Sequence, residues 1–375
     1  MIDIVFITSA SLSLPVNPRA RKIVKTLSSK FRILVLEWDR EKIRKPFEIM
    51  NKRVFIKRFR LKASYGVFYL PLLWPFFWSW IIVNIVSAKP KIIHACNLDA
   101  LIPSWISRLL FFKKPKIVFD SFDKFSLAFI PPKYRLCFKM VDILENILTC
   151  NSDAFITVSK ERLKTYGKFI PNFVEIIMNC PEDLLSRIDD LILNSKKSKE
   201  LILVYAGGLS RDRGLTLLKE AISSINDVKL YLAGNIVDNT IKKLLSSSKI
   251  KYLGLLPYEE SIKLQAQADV IPILYDPAVP INFVANPNKL FEAMMLGKPV
   301  ITNVCRDIVE ETNCGIVVDY SPEQVRNAIL QLKNNPSLRS ELGKNGRKAF
   351  EEKYNWSIME KNLLKLYGQL LSGIN

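Results

Sequence analysis

A glycine pair followed by basic side chains lies between an apolar, strand-like run and a helical pattern. This turn is Ala206–Gly214, with the sequence AGGLSRDRG. Gly207 and Gly208 would let the backbone approach a ligand closely, and the following helix would present unpaired amides at the positive end of its dipole. Arg211 and Arg213 add charges suited to phosphate. Neither GxGxxG nor a P-loop occurs, so a phosphate-binding turn and an ordinary tight turn with solvated arginines both stay open.

A second group of polar residues begins a helix further along the chain, in Asn286–Ile301. The spacing predicts a helix that starts at Asn288 and ends at Gly297. Its first turn would offer free amides beside Lys289. The Glu292 carboxylate could accept two hydrogen bonds from the vicinal hydroxyls of a ribose. The alternative is a carboxylate that only interacts favourably with the helix dipole, worth about 0.3–1 kcal/mol.

The N-terminal half offers fewer groups for chemistry. Asp120 ends an apolar strand, which in a doubly wound fold places it at the edge where substrates bind. We interpret it as a candidate catalytic carboxylate, with loop capping as the alternative. Asp123 is a further polar candidate. The single histidine, His94, also ends a strand, and the pattern favours a buried, hydrogen-bonded side chain over a catalytic one.

Short apolar strands alternate with helical patterns in both halves of the chain. This alternation predicts parallel sheets covered by helices on both faces. Two such α/β sheets in tandem are the simplest architecture. The predicted strands are Ile2–Thr8, Arg32–Glu37, Lys91–His94, Lys116–Phe119 and Ala154–Val158 in the first half, and Leu201–Tyr205, Lys229–Ala233, Val270–Leu274, Pro299–Thr302 and Gly315–Val318 in the second.

Domain boundaries follow from composition. We expect an N-terminal domain at residues 1–180 and a C-terminal domain at residues 181–355, with the polar, basic stretch Leu191–Glu200 as linker. The amphipathic segment 356–375 predicts a last helix that packs back on the N-terminal domain.

Composition and charge exclude several classes of protein. Of 375 residues, 49% are hydrophobic, which excludes a disordered chain. Six scattered cysteines without a CxxC pair argue against a disulfide scaffold or a zinc ribbon, and one histidine excludes a multi-histidine metal centre. Asp3 interrupts the first apolar run, which therefore does not resemble a secretory signal.

The basic residues are concentrated in one half of the chain. The formal net charge is +19; residues 1–180 carry 30 basic and 13 acidic side chains, or +17, and residues 181–375 carry 25 and 23, or +2. We expect the first half to meet an anionic partner, namely lipid, nucleic acid or a phosphorylated substrate.

Segment 40–86 departs from the alternating pattern. Arg40–Lys62 holds ten basic and two acidic residues, and Tyr65–Trp80 holds eight aromatic ones. Leu70–Val86 carries no charge over 17 residues. A segment lying in a membrane interface and a helix packed on the first sheet are both consistent with this composition, and a transmembrane span is a third, less favoured alternative.

The helix motif "FEAMMLGKPVI" resembles the signature of glycosyltransferase family 4, the retaining nucleotide-sugar enzymes with the GT-B fold. Further stretches resemble that family in the same order. They cover nearly all of residues 150–370, whereas residues 1–150 resemble the family only loosely. These stretches are "SDAFITVSKERL", "NCPE", "YAGGLSRDRGLTLLKEAI", "KYLGLLPYEESIKLQAQADVIPIL" and "GKNGRKAFEEKYNW".

The resemblance implies two Rossmann-like domains facing a central cleft and a role for each matching residue. Gly207 and Gly208 would meet the donor diphosphate, and Arg213 would neutralise a phosphate, with Arg211 as a weaker candidate. Glu292 would hold the ribose. The other expected positions are the Leu290 and Phe291 amides at the diphosphate, Gly254–Pro257 beside the base, Asn288 and Lys289 in the donor site, and Asn179 at the hinge.

The resemblance also implies the reaction. We expect a retaining transfer of a hexose-type sugar from a nucleoside-diphosphate donor to a glycan or lipid-linked acceptor, catalysed by Asp120, Arg213 and Glu292. No metal or other cofactor is expected. The location would be cytoplasmic and peripheral on the inner face of the cell membrane, with an anionic membrane surface as partner and no nucleic acid.

Two positions depart from the family pattern. Val284 stands eight positions before Glu292, where many members have a first glutamate that orients the donor sugar, and Phe122 stands where some have a histidine. Two other classes of function are alternatives. A basic nucleic-acid-binding protein lacks support because no RNP, KH or helix-turn-helix pattern occurs. A different GT-B protein, such as an epimerase or a phosphorylase, stays open, although the turn at Ala206–Gly214 favours sugar transfer.

Overall fold

The computed structural model describes residues 2–12, 17–63, 70–131, 133–188 and 199–372. The chain divides into two compact units. The first comprises Met1–Ile177 with Glu360–Asn375, and the second comprises Met178–Met359. These limits lie within a few residues of the boundaries expected at 180 and 355. Most of the expected linker, residues 191–198, lies outside the described residues.

The first unit is built on one eight-stranded sheet with the order β3-β4-β2-β1-β5-β6-β7-β8. All its neighbouring strands are parallel except the β3–β4 pair, which is antiparallel. Its elements are β1 (Ile4–Thr8), α1 (Pro18–Leu27), β2 (Ile33–Trp38), β3 (Phe47–Asn51), β4 (Val54–Phe59), α2 (Leu70–Ala88), β5 (Ile92–Cys96), α3 (Leu98–Arg108), β6 (Lys116–Ser121), α4 (Phe125–Phe129), α5 (Arg135–Cys150), β7 (Ala154–Thr157), α6 (Lys160–Lys164) and β8 (Val174–Ile176).

The polybasic stretch forms the β3–β4 hairpin, which the sequence pattern did not predict. Arg58 of β4 is buried and pairs with Glu37 at 2.5 Å and with Glu48 at 2.7 Å. Arg44 and Arg60 both pair with the buried Asp39. Several charges of this stretch are therefore neutralised within the protein, which reduces what the hairpin can offer to an anionic surface.

Helix α2 lies on the sheet. Phe77, Ile81 and Ile85 are fully buried in the same hydrophobic cluster as Trp38 of β2. Their spacing of four residues gives the helix one buried face. Leu70–Ala88 is long and apolar enough to span a membrane by length and composition, with a mean hydropathy of 1.5, although a core helix of a soluble protein can pass the same test. Residues 64–69, the start of the aromatic-rich segment, lie outside the described residues.

The second unit has two three-stranded parallel sheets, β11-β10-β9 and β12-β13-β14. A parallel bridge between Leu203 of β9 and Val270 joins them edge to edge. The strands are β9 (Leu201–Ala206), β10 (Val228–Ala233), β11 (Ile250–Tyr252), β12 (Ile271–Ile273), β13 (Val300–Thr302) and β14 (Gly315–Val317). The helices are α7 (Leu215–Ser223), α8 (Tyr258–Ala266), α9 (Asn288–Met295), α10 (Arg306–Thr312), α11 (Pro322–Asn334), α12 (Pro336–Glu352) and α13 (Trp356–Ser372).

Helix α13 belongs to the first unit from Glu360 onward. Within the first unit, the hydroxyl of Tyr367 and Nδ1 of His94 share a hydrogen bond of 2.6 Å. Tyr367 and His94 are both fully buried. The last helix is thereby fixed to strand β5.

Candidate functional site

Three glycines end adjacent strands of the second unit and bring their turns together. Gly207, Gly234 and Gly254 follow β9, β10 and β11, and all three have positive φ, at 147°, 137° and 79°. A Cβ on Gly234 would lie 1.9 Å from the carbonyl oxygen of Gly207, so the first two turns touch through their backbones. The Gly234 amide donates to the Gly254 carbonyl oxygen at 2.7 Å. The carboxyl edge of the sheet therefore presents a surface made largely of backbone.

Lys289 reaches this surface from the first turn of α9. A Cβ on Gly207 would lie 2.5 Å from the Lys289 ammonium, so a larger residue there would displace the lysine from its position. The Lys289 ammonium also lies 4.5 Å from the centre of the Tyr205 ring. Tyr205 is buried, and its hydroxyl donates to the Gly208 carbonyl oxygen at 3.1 Å. The glycine turn and the start of α9 thus lie side by side.

Arg213 adds a second cation beside another tyrosine. Its guanidinium lies 4.3 Å from the centre of the Tyr275 ring and donates to Oδ1 of Asn282 at 3.4 Å. Burial raises the pKa of the Tyr275 hydroxyl, while the charges of Lys289 and Arg213 act to lower it. Both cations therefore lie close enough to influence this one ring. Arg211, the weaker phosphate candidate, lies in the same short helical turn and is exposed.

The first turn of α9 meets the prediction only in part. The side chains of Leu290 and Phe291 are buried in the core, so only their backbone could face a ligand. The Leu290 amide donates to the Pro287 carbonyl oxygen at 3.1 Å and is thus engaged within the first turn. Asn288 is exposed at the start of the helix. The expected diphosphate contact from the Leu290 amide would require this internal hydrogen bond to break.

Glu292 is held by side chains of helix α8. Oε2 of Glu292 accepts a hydrogen bond of 3.0 Å from Nε2 of Gln265, and the Tyr258 hydroxyl is also hydrogen-bonded to this carboxylate. Burial, followed by the Glu292 charge, raises the pKa of Tyr258. Only 7% of Glu292 is exposed. The carboxylate is therefore fixed in direction, as a group that receives ligand hydroxyls should be.

Asn179 contacts the segment that leads into α9. Its Nδ2 donates to the Asn286 carbonyl oxygen at 3.2 Å. Asn179 lies one residue after Met178, where the second unit begins. The predicted hinge residue is thus attached to the loop that positions Lys289.

Asp120 lies in the first unit in a buried network of charged groups. Its Oδ1 pairs with Nη2 of Arg19 at 2.8 Å, and its Oδ2 lies 3.4 Å from Nε2 of His94. Asp120 and His94 are fully buried, and Arg19 also donates to the Ile177 carbonyl oxygen. Burial acts to raise the pKa of Asp120, but the Arg19 charge and the His94 contact hold that pKa below its usual value. This geometry favours a structural role for Asp120, and its catalytic role stays a prediction.

The same network contains the one group of metal-ligating side chains found among the described residues. Ligand atoms of His94, Cys96 and Asp120 lie within 4.8 Å of one another. However, Arg19 already neutralises Asp120, and burial raises the pKa of the Cys96 thiol well above its ordinary value. Because a metal needs a thiolate and a carboxylate without a competing cation, these residues do not fit a metal ion.

Five residues of the second unit's site were not identified from the sequence. The tyrosines that support the two cations are far apart in sequence, so spacing could not pair them. The spacing of seven residues between Tyr258 and Gln265 was a usable signal, because it places both side chains on one face of a helix. Gly234 could have been found as a glycine directly after a predicted strand. These five are Tyr205, Gly234, Tyr258, Gln265 and Tyr275.

Comparisons with known sequences give a family match over most of the second unit. Residues 189–349 match the family described as Glycosyl transferases group 1. An uncharacterized glycosyltransferase of Methanocaldococcus jannaschii, MJ1607, is 25% identical over 262 residues, which cover 61% of this chain and 63% of that protein. A GDP-mannose-dependent monoacylated alpha-(1-6)-phosphatidylinositol monomannoside mannosyltransferase of Corynebacterium glutamicum is 25% identical over 42% of this chain and 43% of its own length. The chain thus matches less than two thirds of each of these relatives.

Solved structures with the same fold cover nearly the whole chain. Sucrose-phosphate synthase from Thermosynechococcus elongatus superposes with a TM-score of 0.81 and 17% identity, covering all of both chains. Anabaena Alr3699/HepE in complex with UDP-glucose superposes with a TM-score of 0.72 and 14% identity, covering 98% of this chain and 100% of that chain. The predicted fold class, α/β with parallel sheets as in GT-B proteins, is confirmed. The chain therefore has a GT-B fold, and its residues 189–349 match the Glycosyl transferases group 1 family.

Proposed function

We propose that this protein is a glycosyltransferase that transfers a sugar from a nucleoside-diphosphate donor. The observation that carries this proposal is the convergence of Lys289 on the turn at Gly207, with Arg213 beside the same pair of tyrosines. Two cations beside an open backbone turn match the charge of a diphosphate. The complex of Anabaena Alr3699/HepE with UDP-glucose supports a nucleotide-sugar ligand for this fold.

The proposed reaction breaks the bond between the anomeric carbon and the diphosphate oxygen. A new bond forms between that carbon and an acceptor hydroxyl oxygen, whose proton passes to an oxygen of the departing diphosphate. Negative charge grows on the departing diphosphate, and Arg213 and Lys289 stabilise it in the transition state. Glu292 accepts hydrogen bonds from the ribose hydroxyls and fixes the nucleotide relative to the two cations.

The finer points of the reaction are proposals too. Retention of configuration and a hexose-type donor follow from the resemblance to glycosyltransferase family 4. A lipid-linked or glycan acceptor agrees with the mannosyltransferase of Corynebacterium glutamicum, which acts on a phosphatidylinositol mannoside by its name. We also propose that the transfer needs no metal and takes place at the cytoplasmic face of the membrane. Activity that survives excess chelator would support the first of these statements, and activity lost to the chelator would contradict it.

The experiment measures thermal stabilisation by a panel of nucleoside diphosphates and then the release of nucleoside diphosphate from sugar donors. A ligand at 100 times its dissociation constant stabilises the folded state by about 2.7 kcal/mol. We expect Glu292→Ala and Arg213→Ala to lose this stabilisation and to release nucleotide about 10²–10³-fold more slowly. Lys344→Ala, an exposed lysine on α12, is the matched control and should behave as the unsubstituted protein. Equal stabilisation of all variants would contradict the proposal.

A further inference from the structure

The exposed apolar side chains of the protein are concentrated on the helical layer formed by α2, α3 and α5. These helices cover the same face of the first unit's sheet. The Trp78 indole of α2 donates to the Asp99 carbonyl oxygen of α3, and the Trp105 indole of α3 donates to the Leu148 carbonyl oxygen of α5. The three helices are thus joined side by side and present one outer surface.

That outer surface is apolar to an unusual degree for the outside of a protein. Large hydrophobic side chains on it are between 41% and 72% exposed, and Phe112 after α3 is fully exposed. Many exposed apolar side chains on neighbouring helices are typical of a protein or membrane contact. The exposed residues are Leu72, Phe76 and Val83 on α2, Ile106 on α3, Leu109, Leu110 and Phe112 directly after it, and Leu136, Met140, Ile143, Leu144 and Ile147 on α5.

Exposed basic residues outnumber exposed acidic ones along this stretch of the chain. Between residues 70 and 150, the acidic side chains that the structure describes are buried or partly exposed, up to 46% for Asp123. The two with the most exposure are both neutralised, Asp123 by Arg162 and Asp142 by Lys124. The exposed basic residues over the same stretch are Lys89, Lys91, Lys113, Lys114, Lys133, Arg135 and Lys139.

We propose that the outer face of α2, α3 and α5, here called the docking face, binds the surface of an anionic lipid bilayer. Apolar side chains would enter the region between headgroups and acyl chains, and the lysines would meet the lipid phosphates. The charge complementarity favours lipid over a second copy of this chain, because two copies of a basic surface repel each other. The docking face shares α2 with segment 40–86, for which a membrane interface was one of the alternatives from the sequence, and adds α3 and α5 to it.

The docking face is a peripheral contact and does not require α2 to cross the bilayer. Phe77, Ile81 and Ile85 hold the inner side of α2 in the core of the unit. Only the outer side, with Leu72, Phe76 and Val83, is available to lipid. This proposal does not depend on glycosyl transfer, and a binding experiment tests it without any donor or acceptor.

The experiment is co-sedimentation of the full chain with vesicles of phosphatidylcholine, with and without one third phosphatidylglycerol. We expect binding to the anionic vesicles that decreases with salt. The triple variant Leu136→Gln/Met140→Gln/Ile143→Gln should bind at least about tenfold more weakly, because three exposed apolar anchors are lost. Lys113→Gln/Lys114→Gln should lose about fivefold for each charge removed.

Two matched controls test whether vesicle binding depends on the docking face itself, rather than on exposed apolar side chains in general or on the net charge of the protein. Ile43→Gln/Ile49→Gln removes comparably exposed apolar side chains from the β3 region, and Lys344→Gln/Lys348→Gln removes two exposed lysines from the second unit. Both should bind as the unsubstituted protein does, and circular dichroism checks that every variant is folded. The proposal is overturned if the helix variants bind normally or if the controls lose binding equally. It is also overturned if the protein is a dimer that the α5 variant dissociates while neither form binds vesicles.

Discussion

Both units consist of parallel strands covered by helices, but they differ in the burial of the charged side chains near the ends of their strands. In the first unit, Asp120 at the end of β6 is sealed from solvent with Arg19 and His94. In the second unit, Arg213 and Lys289 remain partly exposed and lie over tyrosine rings, and Arg213 also pairs with the partly exposed Asp212 at 3.5 Å. A charge that is paired and buried holds a structure together, whereas a charge kept near solvent on an aromatic support is available to a ligand.

The surfaces of the two units differ in the same sense. Of 24 large hydrophobic side chains that are exposed among the described residues, 20 belong to the first unit and 4 to the second. The first 180 residues also carry +17 of the net charge of +19. The distinctive feature of the first unit is therefore its apolar and basic outer surface, and that of the second unit is the group of charged residues at the edge of its sheet.

The largest expected effect concerns the buried network. Asp120→Ala leaves Arg19 without its counter-charge in the interior, which should cost about 3–5 kcal/mol of the free energy of unfolding. Because the folded pKa of Asp120 is lowered, its contribution is complete above the unfolded pKa of about 3.9 and is lost as pH falls further. Urea unfolding measures both effects. Asp319→Ala, which removes an exposed pair with Arg306, is the control and should change stability little. If Asp120→Ala changed the free energy of unfolding as little as Asp319→Ala does, the buried pair would contribute no more to stability than the exposed pair, which would contradict the comparison.

A second prediction concerns Glu145 of α5, whose carboxylate accepts hydrogen bonds from the Phe125 and Ser126 amides and the Tyr166 hydroxyl. Burial raises its pKa to about 7. At pH values between the ordinary glutamate pKa of about 4.5 and this folded pKa, Glu145 keeps its proton in the folded protein but loses it in the unfolded chain. The free energy of unfolding should therefore fall by about 3 kcal/mol as pH rises from about 4.5 to about 7. Urea unfolding across this range should show that slope, and Glu145→Gln should remove it. An unchanged slope in the variant would assign it to another group.

The third prediction uses two adjacent glycines of the second unit. Gly207 has a φ of +147°, and a Cβ there would meet the Lys289 ammonium at 2.5 Å. Gly207→Ala should therefore displace the lysine and weaken nucleoside-diphosphate binding about tenfold, since a charge-assisted contact is lost. A Cβ on Gly208 meets only Val237, at 3.6 Å, so Gly208→Ala leaves Lys289 in place and should weaken binding less than Gly207→Ala does. Calorimetric titration with UDP and GDP measures both. The reverse order of effects would contradict the arrangement described here.

The smallest expected effect concerns the support of Glu292. Tyr258→Phe removes one hydrogen bond to this carboxylate, worth about 0.5–1.5 kcal/mol, and should weaken nucleotide binding about fivefold. Tyr231→Phe on β10 changes a tyrosine outside the site and should have no effect. If both variants bind equally well, Tyr258 does not orient Glu292.

Local patterns sufficed to predict most strands, because β-branched runs between turns mark parallel strands wherever both faces are buried. The β3–β4 hairpin escaped prediction because its basic residues concealed the alternation of buried Val54 and Ile56 with more exposed neighbours. The glycine turn and Glu292 carried local signals. The tyrosines under Lys289 and Arg213 did not, since their positions depend on how strands distant in sequence come together.

The central claim is that Lys289 and Arg213 together bind a diphosphate beside the turn at Gly207. The most direct test is a calorimetric comparison of UDP and GDP with uridine and guanosine, in the unsubstituted protein and in Lys289→Met/Arg213→Met. We predict that the unsubstituted protein prefers a nucleoside diphosphate to its nucleoside by at least about a hundredfold and that the double variant loses this preference, because the contacts that distinguish the ligands are charge-assisted. An undiminished preference in the double variant would contradict the account.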